Sequence, residues 1–125
     1  MNQEQLGKLR NDVLRHCIRH LSYKRNVINL NTGNTVQHEQ IKFRICYELQ
    51  KQGIHYITEA RMGNKAIADI LVLDKSQIIE ILVSESEDEV KYKVRKYPEG
   101  IEIVSVRSWE EYETGHYKIV KQKLI

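Results

Sequence analysis

The chain has 125 residues, of which 41% are hydrophobic and 30% charged, with a formal net charge of +3 and a single proline. These values predict one folded domain and exclude a disordered or proline-rich chain, and no segment reaches the ~18 apolar residues of a membrane-spanning helix. Because the polar start lacks the apolar stretch of a signal peptide, we expect a cytoplasmic protein with no membrane partner.

The charge is unevenly distributed along the chain. Residues 1–52 carry nine Lys or Arg against four Asp or Glu, whereas residues 53–125 carry eleven against thirteen. A basic first half favours a polyanion partner, with carboxylate chemistry in the second half. The alternative is two solvated faces without functional meaning.

The first predicted element is a helix from about Gln3 to Lys24, because apolar residues recur there at three- and four-residue steps. We interpret residues 1–30 as a basic N-terminal helical extension. Its basic side chains either contact phosphates or form an ordinary solvated face. The candidate phosphate contacts here are Lys8, Arg15, Arg19, Lys24 and Arg25. Cys17 and Cys46 are too few for a disulfide framework or a zinc site, so we expect two buried thiols.

After the turn-rich segment NLNTGNT, a second helix is predicted from Val36 to Gln52, ended by Gly53. Ile41, Ile45 and Leu49 form its apolar stripe. Phe43 and Cys46 lie off this stripe, which is typical of a helix packed between two other elements.

The period then changes to that of strands. We expect a three-stranded antiparallel meander, a helix that starts at Ser84 and ends at Tyr97-Pro98, a strand parallel to the meander, a short helix and a last strand. The predicted strands span Ile54–Ala60, Ala66–Leu73, Gln77–Val83, Ile101–Val106 and Tyr117–Ile125, and the short helix spans Ser108–Glu113.

This order predicts an α/β fold with an α-β-β-β-α-β core, in which a mixed sheet is flanked by helices. The single domain 1–125 then consists of the N-terminal extension, a core over residues 36–106, and a C-terminal helix and strand over residues 107–125.

Two acidic residues interrupt apolar strands, and a third lies near the start of the second helix. Asp69 lies within AIADILVL, Glu80 within IIEILV, and Glu39 three residues into the helix. A buried carboxylate needs a partner or a metal ion. Across a tight hairpin Asp69 and Glu80 can share one ion, because adjacent strands lie ~4.8 Å apart, and oxygen ligands favour Mg²⁺ or Mn²⁺. Alternatively, each acid faces water.

The strand order, with Ala68-Asp69 on one strand and Glu80-x-Leu82 on the next, resembles the PD-(D/E)xK nuclease superfamily. This family has a restriction endonuclease-like fold and includes Holliday junction resolvases and other small nucleases. The resemblance implies a metal-dependent deoxyribonuclease in which Asp69 and Glu80 bind the metal and Glu39 assists. Two departures stand out, since Leu82 occupies the position of the family's lysine and Ala68 that of its proline. The alternative is therefore a catalytically degenerate module that binds nucleic acid or assists assembly.

Another lysine must then supply the missing charge if catalysis survives. Lys42, one turn after Glu39, is the first candidate and Lys65 the second, and the alternative for both is an ordinary surface lysine. Lys93-x-x-x-Tyr97 resembles the Gln-x-x-x-Tyr pattern of some exonuclease-like members, and with Lys91 these residues are candidate DNA contacts. Because a chain this small rarely surrounds a duplex alone, a homodimer is plausible.

Three further residues have modest expectations. His38 should have a core or capping role, because helical geometry places it towards Ile45 and Leu49. Glu59 should be an exposed strand acid. Trp109 should fill the core rather than stack on bases.

Overall fold

The computed structural model describes residues 1–19, 22–63 and 66–122. Within them the chain forms four α-helices and five strands, with one turn of 3-10 helix at Leu73–Lys75. In chain order these are α1 (Gln3–Leu14), α2 (Val36–Lys51), β1 (Tyr56–Arg61), β2 (Ile67–Val72), β3 (Gln77–Ile81), α3 (Glu87–Val94), β4 (Glu102–Val106), α4 (Trp109–Glu113) and β5 (Lys118–Lys121).

The strands form one mixed sheet in the order β1-β2-β3-β4-β5. β1, β2 and β3 pair antiparallel, as expected for short connections, and β5 pairs antiparallel with β4. β3 and β4 are parallel, because α3 crosses over between them. The predicted α/β class with a mixed sheet is therefore confirmed.

Helices cover both faces of the sheet. On one face, Val13 and Leu14 of α1 and Val90 and Val94 of α3 join one apolar cluster. On the other face, the stripe of α2 packs with Trp109 and Tyr112 of α4 in a second cluster. Since both faces are buried, β2 and β3 read as nearly continuous apolar runs, and a polar residue within them demands a partner.

The first helix is shorter than predicted, so the prediction that several basic residues lie on this helix was wrong. α1 begins with a capping box between Asn2 and Gln5 and ends at Leu14. Cys17, predicted to continue the helical stripe, instead bridges to Met62 beside β1, and the Ile18 N–H donates to the Arg61 carbonyl. Arg15, Arg19, Lys24 and Arg25 consequently follow the helix rather than line it. All four are exposed or half-buried.

The other elements deviate by a few residues. α3 begins at Glu87 and ends at Val94, because Ser86, rather than the predicted Ser84, is the N-cap, and its Oγ accepts the Glu89 N–H. Phe43 is 53% exposed, so the prediction that α2 is packed on two sides was wrong, although Cys46 is fully buried. Trp109 is buried, as predicted.

Both cysteines are buried and free, as predicted, and burial raises the pKa of each thiol to about 12. No helix of the described part of the chain is both long and apolar enough to cross a bilayer.

Candidate active site

Asp69 and Glu80 meet where β2 and β3 separate. The last paired residues of these strands are Ile70 and Ile79, and the same register places Asp69 opposite Glu80 at the next position. Here Asp69 Oδ2 accepts the Ile81 N–H at 2.8 Å, so a carboxylate replaces the backbone acceptor. The Asp69 charge acts on the Glu80 carboxyl and disfavours its ionisation. The two acids therefore lie side by side and are both buried.

The Glu80 carboxyl is also held by two residues from the segment that follows it. Lys93 Nζ of α3 lies 3.0 Å from Glu80 Oε2, and the Tyr97 hydroxyl contacts Glu80 Oε1. Tyr97 Oη also lies 3.0 Å from the Ile67 carbonyl oxygen, which can only accept. The Tyr97 hydroxyl therefore links the Glu80 carboxyl to the backbone of β2.

The pKa values of the two neighbouring acids shift in opposite directions. Burial and the neighbouring Asp69 raise the pKa of Glu80 well above its ordinary value, and Lys93 and Tyr97 oppose this only in part. Burial also acts on Asp69, but the His38 hydrogen bond, Lys93 and the Ile81 N–H keep its pKa below the usual value. Of the two carboxyls, Glu80 is therefore the one that holds its proton to higher pH, as expected for neighbouring acids that disfavour each other's ionisation.

A second cluster lies at the start of α2. Lys42 is fully buried, and its Nζ lies 2.5 Å from Glu39 Oε2, 2.9 Å from Glu59 Oε1 and 2.7 Å from the Asn29 carbonyl oxygen. Burial opposes its charge, but the two carboxylates raise the pKa of Lys42 overall. Asn34 Nδ2 donates to Glu39 Oε1 at 2.9 Å. This ammonium is enclosed by oxygen acceptors, so the surface-lysine alternative for Lys42 was wrong.

Glu59 reaches Lys42 from an unusual backbone position. Its φ is +51°, which is rare for a residue with a side chain and costs of order 1 kcal/mol. The β1–β2 register pairs Thr58 with Ile70 and Ala60 with Ala68, which places Glu59 opposite Asp69. The expectation of an exposed strand acid was wrong, since only 18% of this side chain is exposed.

His38 connects the two clusters. Its Nε2 lies 3.3 Å from Asp69 Oδ2, and its Nδ1 lies 3.6 Å from Glu39 Oε1. Burial disfavours the charged imidazole, but the Asp69 and Glu39 carboxylates outweigh it and raise the pKa of His38. His38 therefore faces the acids instead of the apolar stripe of α2, contrary to the sequence expectation. The result is a continuous polar network from Lys42 to Tyr97.

The structure brings together some of the predicted site residues but not others. Asp69 and Glu80 lie side by side, and His38 lies between Glu39 and Asp69. Lys65 lies outside the described residues. Leu82 is buried in the apolar cluster on the α1 and α3 face. Lys93, which the sequence suggested only as a DNA contact, is the lysine on Glu80, and its spacing to Tyr97 was the signal that pointed to it.

The other predicted DNA contacts differ in accessibility. Lys8, Arg15, Arg19, Lys24 and Lys91 are exposed, Arg25 is half-buried, and Lys93 is partly exposed beside Glu80. Tyr97 is buried, with its hydroxyl engaged by Glu80 and Ile67. It therefore contributes to the carboxyl pair rather than to an outer surface.

Whether the pair suits a divalent cation depends on its donors. Within residues 1–19, 22–63 and 66–122, no group of three or more His, Cys, Asp or Glu residues is arranged to hold a metal. Asp69 and Glu80 nevertheless offer two carboxyls side by side, and Mg²⁺ is commonly held by one or two carboxylates plus water and phosphate oxygens. A cation would relieve the repulsion between the two carboxyls, which together with burial raises the pKa of Glu80. The donor set therefore fits Mg²⁺ or Mn²⁺ when the Glu80 proton leaves.

Comparison with protein-family models, curated proteins and solved structures yields no match.

Proposed function

We propose that this protein is a metal-dependent nuclease that hydrolyses DNA phosphodiester bonds, with a restriction endonuclease-like core of the PD-(D/E)xK type. The observation that carries the proposal is the side-by-side placement of Asp69 and Glu80 at the point where β2 and β3 separate, with Lys93 on Glu80. The α2-β1-β2-β3-α3-β4 order and the parallel β3–β4 pair also agree with that family's core. Two strand acids alone would suit either a nuclease or a salt-bridged core. The lysine beside them favours the nuclease, because its positive charge can bind a phosphate group.

In this proposal Asp69 and Glu80 hold one Mg²⁺ or Mn²⁺ ion. The bound ion would lower the pKa of a coordinated water and stabilise charge on the phosphodiester oxygens. Asp69 is already ionised, whereas Glu80 must release its proton, so Mg²⁺ affinity should rise with pH. His38 and the Ile81 N–H fix the orientation of the Asp69 carboxylate.

In this proposal Lys93 supplies the positive charge that the sequence pattern lacks at Leu82. Burial opposes its charge, but Glu80 and Asp69 raise its pKa, so it remains an ammonium at neutral pH. Its side chain is 32% exposed, which leaves it accessible to a phosphate as well as to Glu80. Lys93 therefore replaces Lys42 as the proposed catalytic lysine, because Lys42 is enclosed by Glu39, Glu59 and Asn29.

The DNA backbone is proposed to follow the exposed basic residues outside the acid pair. Lys8 lies on α1, and Lys91 lies two residues before Lys93 on α3. The remaining candidates are Arg15, Arg19, Lys24 and Arg25. Such contacts contribute affinity that falls with salt and carry no sequence specificity.

A specific observation also supports the second candidate, a degenerate nuclease-fold module that binds nucleic acid without cleaving it. Leu82 is buried in apolar surroundings, and both Glu80 oxygens have partners within the protein. In this alternative the proton on Glu80 is permanent and the acid pair is a structural element.

The test is incubation of plasmid and linear DNA with the protein in Mg²⁺, in Mn²⁺ and in EDTA. We expect cleavage that requires the metal, and we expect Asp69→Asn and Lys93→Met each to lower the rate by about 100-fold. Arg95→Met is the matched control, because Arg95 is an exposed basic residue at the end of α3 that is not among the proposed DNA contacts, and its removal should leave most of the rate. Salt-sensitive binding without cleavage would establish the module instead, and cleavage that persists in Asp69→Asn would refute the assigned site.

A further inference from the structure

An open groove lies directly beside the acid network. It runs between the start of α2 and the segment 30–35, has a volume of about 480 Å³, and is lined chiefly by apolar surface. Leu30, Val36 and Phe43 line it, and all three are more than half exposed. Its volume falls within the range of sites that bind small organic ligands.

The groove and the proposed active site share one residue. Glu39 lines the groove and also contacts Lys42, His38 and Asn34. His38 in turn lies 3.3 Å from Asp69, so the Glu39 and His38 side chains connect the groove to the acid pair. A ligand in the groove would therefore lie close to the proposed metal site.

The outer face of α2 continues the groove with stacked rings. The centroids of Phe43 and Tyr47 lie 6.0 Å apart with 29° between their planes, and Lys51 Nζ lies 5.6 Å from the Tyr47 centroid. Exposed aromatic rings followed by a cation along one path are the features with which proteins bind single-stranded nucleic acid.

We propose that this groove binds an unpaired nucleobase of the substrate strand, stacked on Phe43; the inference rests on the proposed nuclease function. The chemistry of the groove selects a base over a phosphate, because the walls are apolar and Glu39 would repel an anion. A base is favoured over a second copy of the chain, because the neighbouring rings of Phe43 and Tyr47 and the ammonium of Lys51 match a stacked nucleotide. The favoured substrate is then single-stranded DNA or a duplex with an unpaired base.

The test measures binding rather than cleavage, in EDTA, so that it does not depend on catalysis. Two labelled oligonucleotides of equal length are compared, one intact single strand and one with consecutive abasic positions. Stacking of one base contributes ~1–3 kcal/mol, so we expect the intact strand to bind at least fivefold more tightly. Phe43→Ala should remove this preference and leave the affinity for the abasic strand unchanged.

Tyr92→Ala is the matched control. Tyr92 is an exposed ring on α3, 63% accessible, with Lys96 Nζ 4.9 Å from its centroid, and so reproduces the Tyr47–Lys51 arrangement away from the groove. It should keep the preference for the intact strand. Equal affinity of the wild type for both strands, or an equal effect of Phe43→Ala and Tyr92→Ala, would overturn the inference.

A second measurement separates the alternatives. If Phe43→Ala lowers the oligomeric mass by light scattering while the base preference is unchanged, a second copy occupies the groove and the inference is wrong. Cleavage of DNA without a preference for the intact strand would contradict base binding in the groove but not the nuclease proposal. A preference for the intact strand without cleavage would contradict the nuclease proposal but not base binding in the groove.

Discussion

Glu80 is the residue whose chemistry the fold changes most. Its side chain is buried between Asp69, Lys93 and Tyr97, and burial with the Asp69 charge raises its pKa. In an unfolded chain the same carboxyl titrates near 4.5. Below that pH both states carry the proton, whereas above it only the folded state does. The folded state therefore loses relative stability as pH rises from about 4.5 to the folded pKa.

This cost predicts that Glu80→Gln, which keeps the shape and the neutral charge, stabilises the protein at neutral and alkaline pH. The gain in the free energy of unfolding should be close to zero at pH 4 and should grow as pH rises towards 8, because the folded state holds the Glu80 proton to higher pH than the unfolded state does. Urea denaturation at pH 4, 6 and 8 measures it.

Glu99→Gln is the control, because it makes the same substitution at an acid whose side chain is 65% exposed and lies outside the acid pair. A stabilisation of Glu80→Gln that is the same at pH 4 and pH 8 would contradict a raised pKa. A gain in stability combined with loss of nuclease activity would identify Glu80 as a residue retained for function.

At the scale of elements, α1 is attached to the sheet through the turn between β2 and β3. Arg10 donates from Nε to Asp74 Oδ1 at 2.5 Å and from Nη2 to Asp74 Oδ2 at 2.9 Å, and the His55 N–H donates to Asp74 Oδ2. Both side chains are nearly buried, with 13% and 10% exposed. Burial acts against the Asp74 charge, but Arg10 and the His55 N–H lower the pKa of Asp74 overall.

Removal of this ion pair should therefore loosen α1. We expect Arg10→Ala to lower the free energy of unfolding by about 1.5–3 kcal/mol and Arg10→Lys to lose about half of that, because lysine cannot form the two-point contact. The loss should shrink as pH falls through the lowered pKa of Asp74 and this carboxylate takes up a proton. Chemical denaturation of both variants at pH 7 and pH 3 provides the measurement.

Arg15→Ala serves as the comparison. Arg15 lies 3.6 Å from Asp12 on an exposed surface, and such pairs contribute less than about 0.5 kcal/mol. If Arg10→Ala resembled Arg15→Ala, the ion pair would not hold the helix in place.

Sequence periodicity identified the elements more reliably than their ends or their polar contacts. The parallel β3–β4 pair followed from the crossover helix, and the side-by-side placement of Asp69 and Glu80 followed from one hairpin. The end of α1 did not follow, because Cys17 satisfies a helical stripe and a bridge to Met62 equally well. Nor did the position of Glu59, since its left-handed backbone is set by tertiary contacts rather than by its neighbours in sequence.

The whole molecule combines titrating groups that shift in opposite directions. Glu39, Asp69 and Asp74 all have pKa values below the ordinary 4.5 or 3.8, because charge partners outweigh the burial that opposes ionisation. Each contributes stability that is complete above the unfolded pKa and is lost as pH falls through the folded value. The protein should therefore unfold more easily in acid.

On the alkaline side the balance is different. Burial is the largest influence on both histidines, but the pKa of His38 is raised by its carboxylate partners, whereas that of His55 is lowered by burial and Arg10. His38 loses its stabilising contribution as pH rises above 6.5, and His55 loses stability as pH falls below 6.5, so the two oppose each other. Above pH 4.5 the raised pKa of Glu80 therefore sets the direction of the change, and the free energy of unfolding falls as pH rises.

These opposing slopes predict a maximum of stability in weakly acidic solution, at about pH 5–6, with a decline on both sides. The urea midpoint across pH 3–9 measures the profile. In Glu80→Gln the alkaline decline should flatten and the maximum should move towards neutral pH, whereas the acidic decline should remain. Mg²⁺ provides an independent check at pH 8, since an ion that binds only the ionised pair stabilises the folded state and should raise the midpoint of the wild type but not of Asp69→Asn. A wild-type maximum above pH 8, or an equal effect of Mg²⁺ on both proteins, would contradict a cation-responsive acid pair.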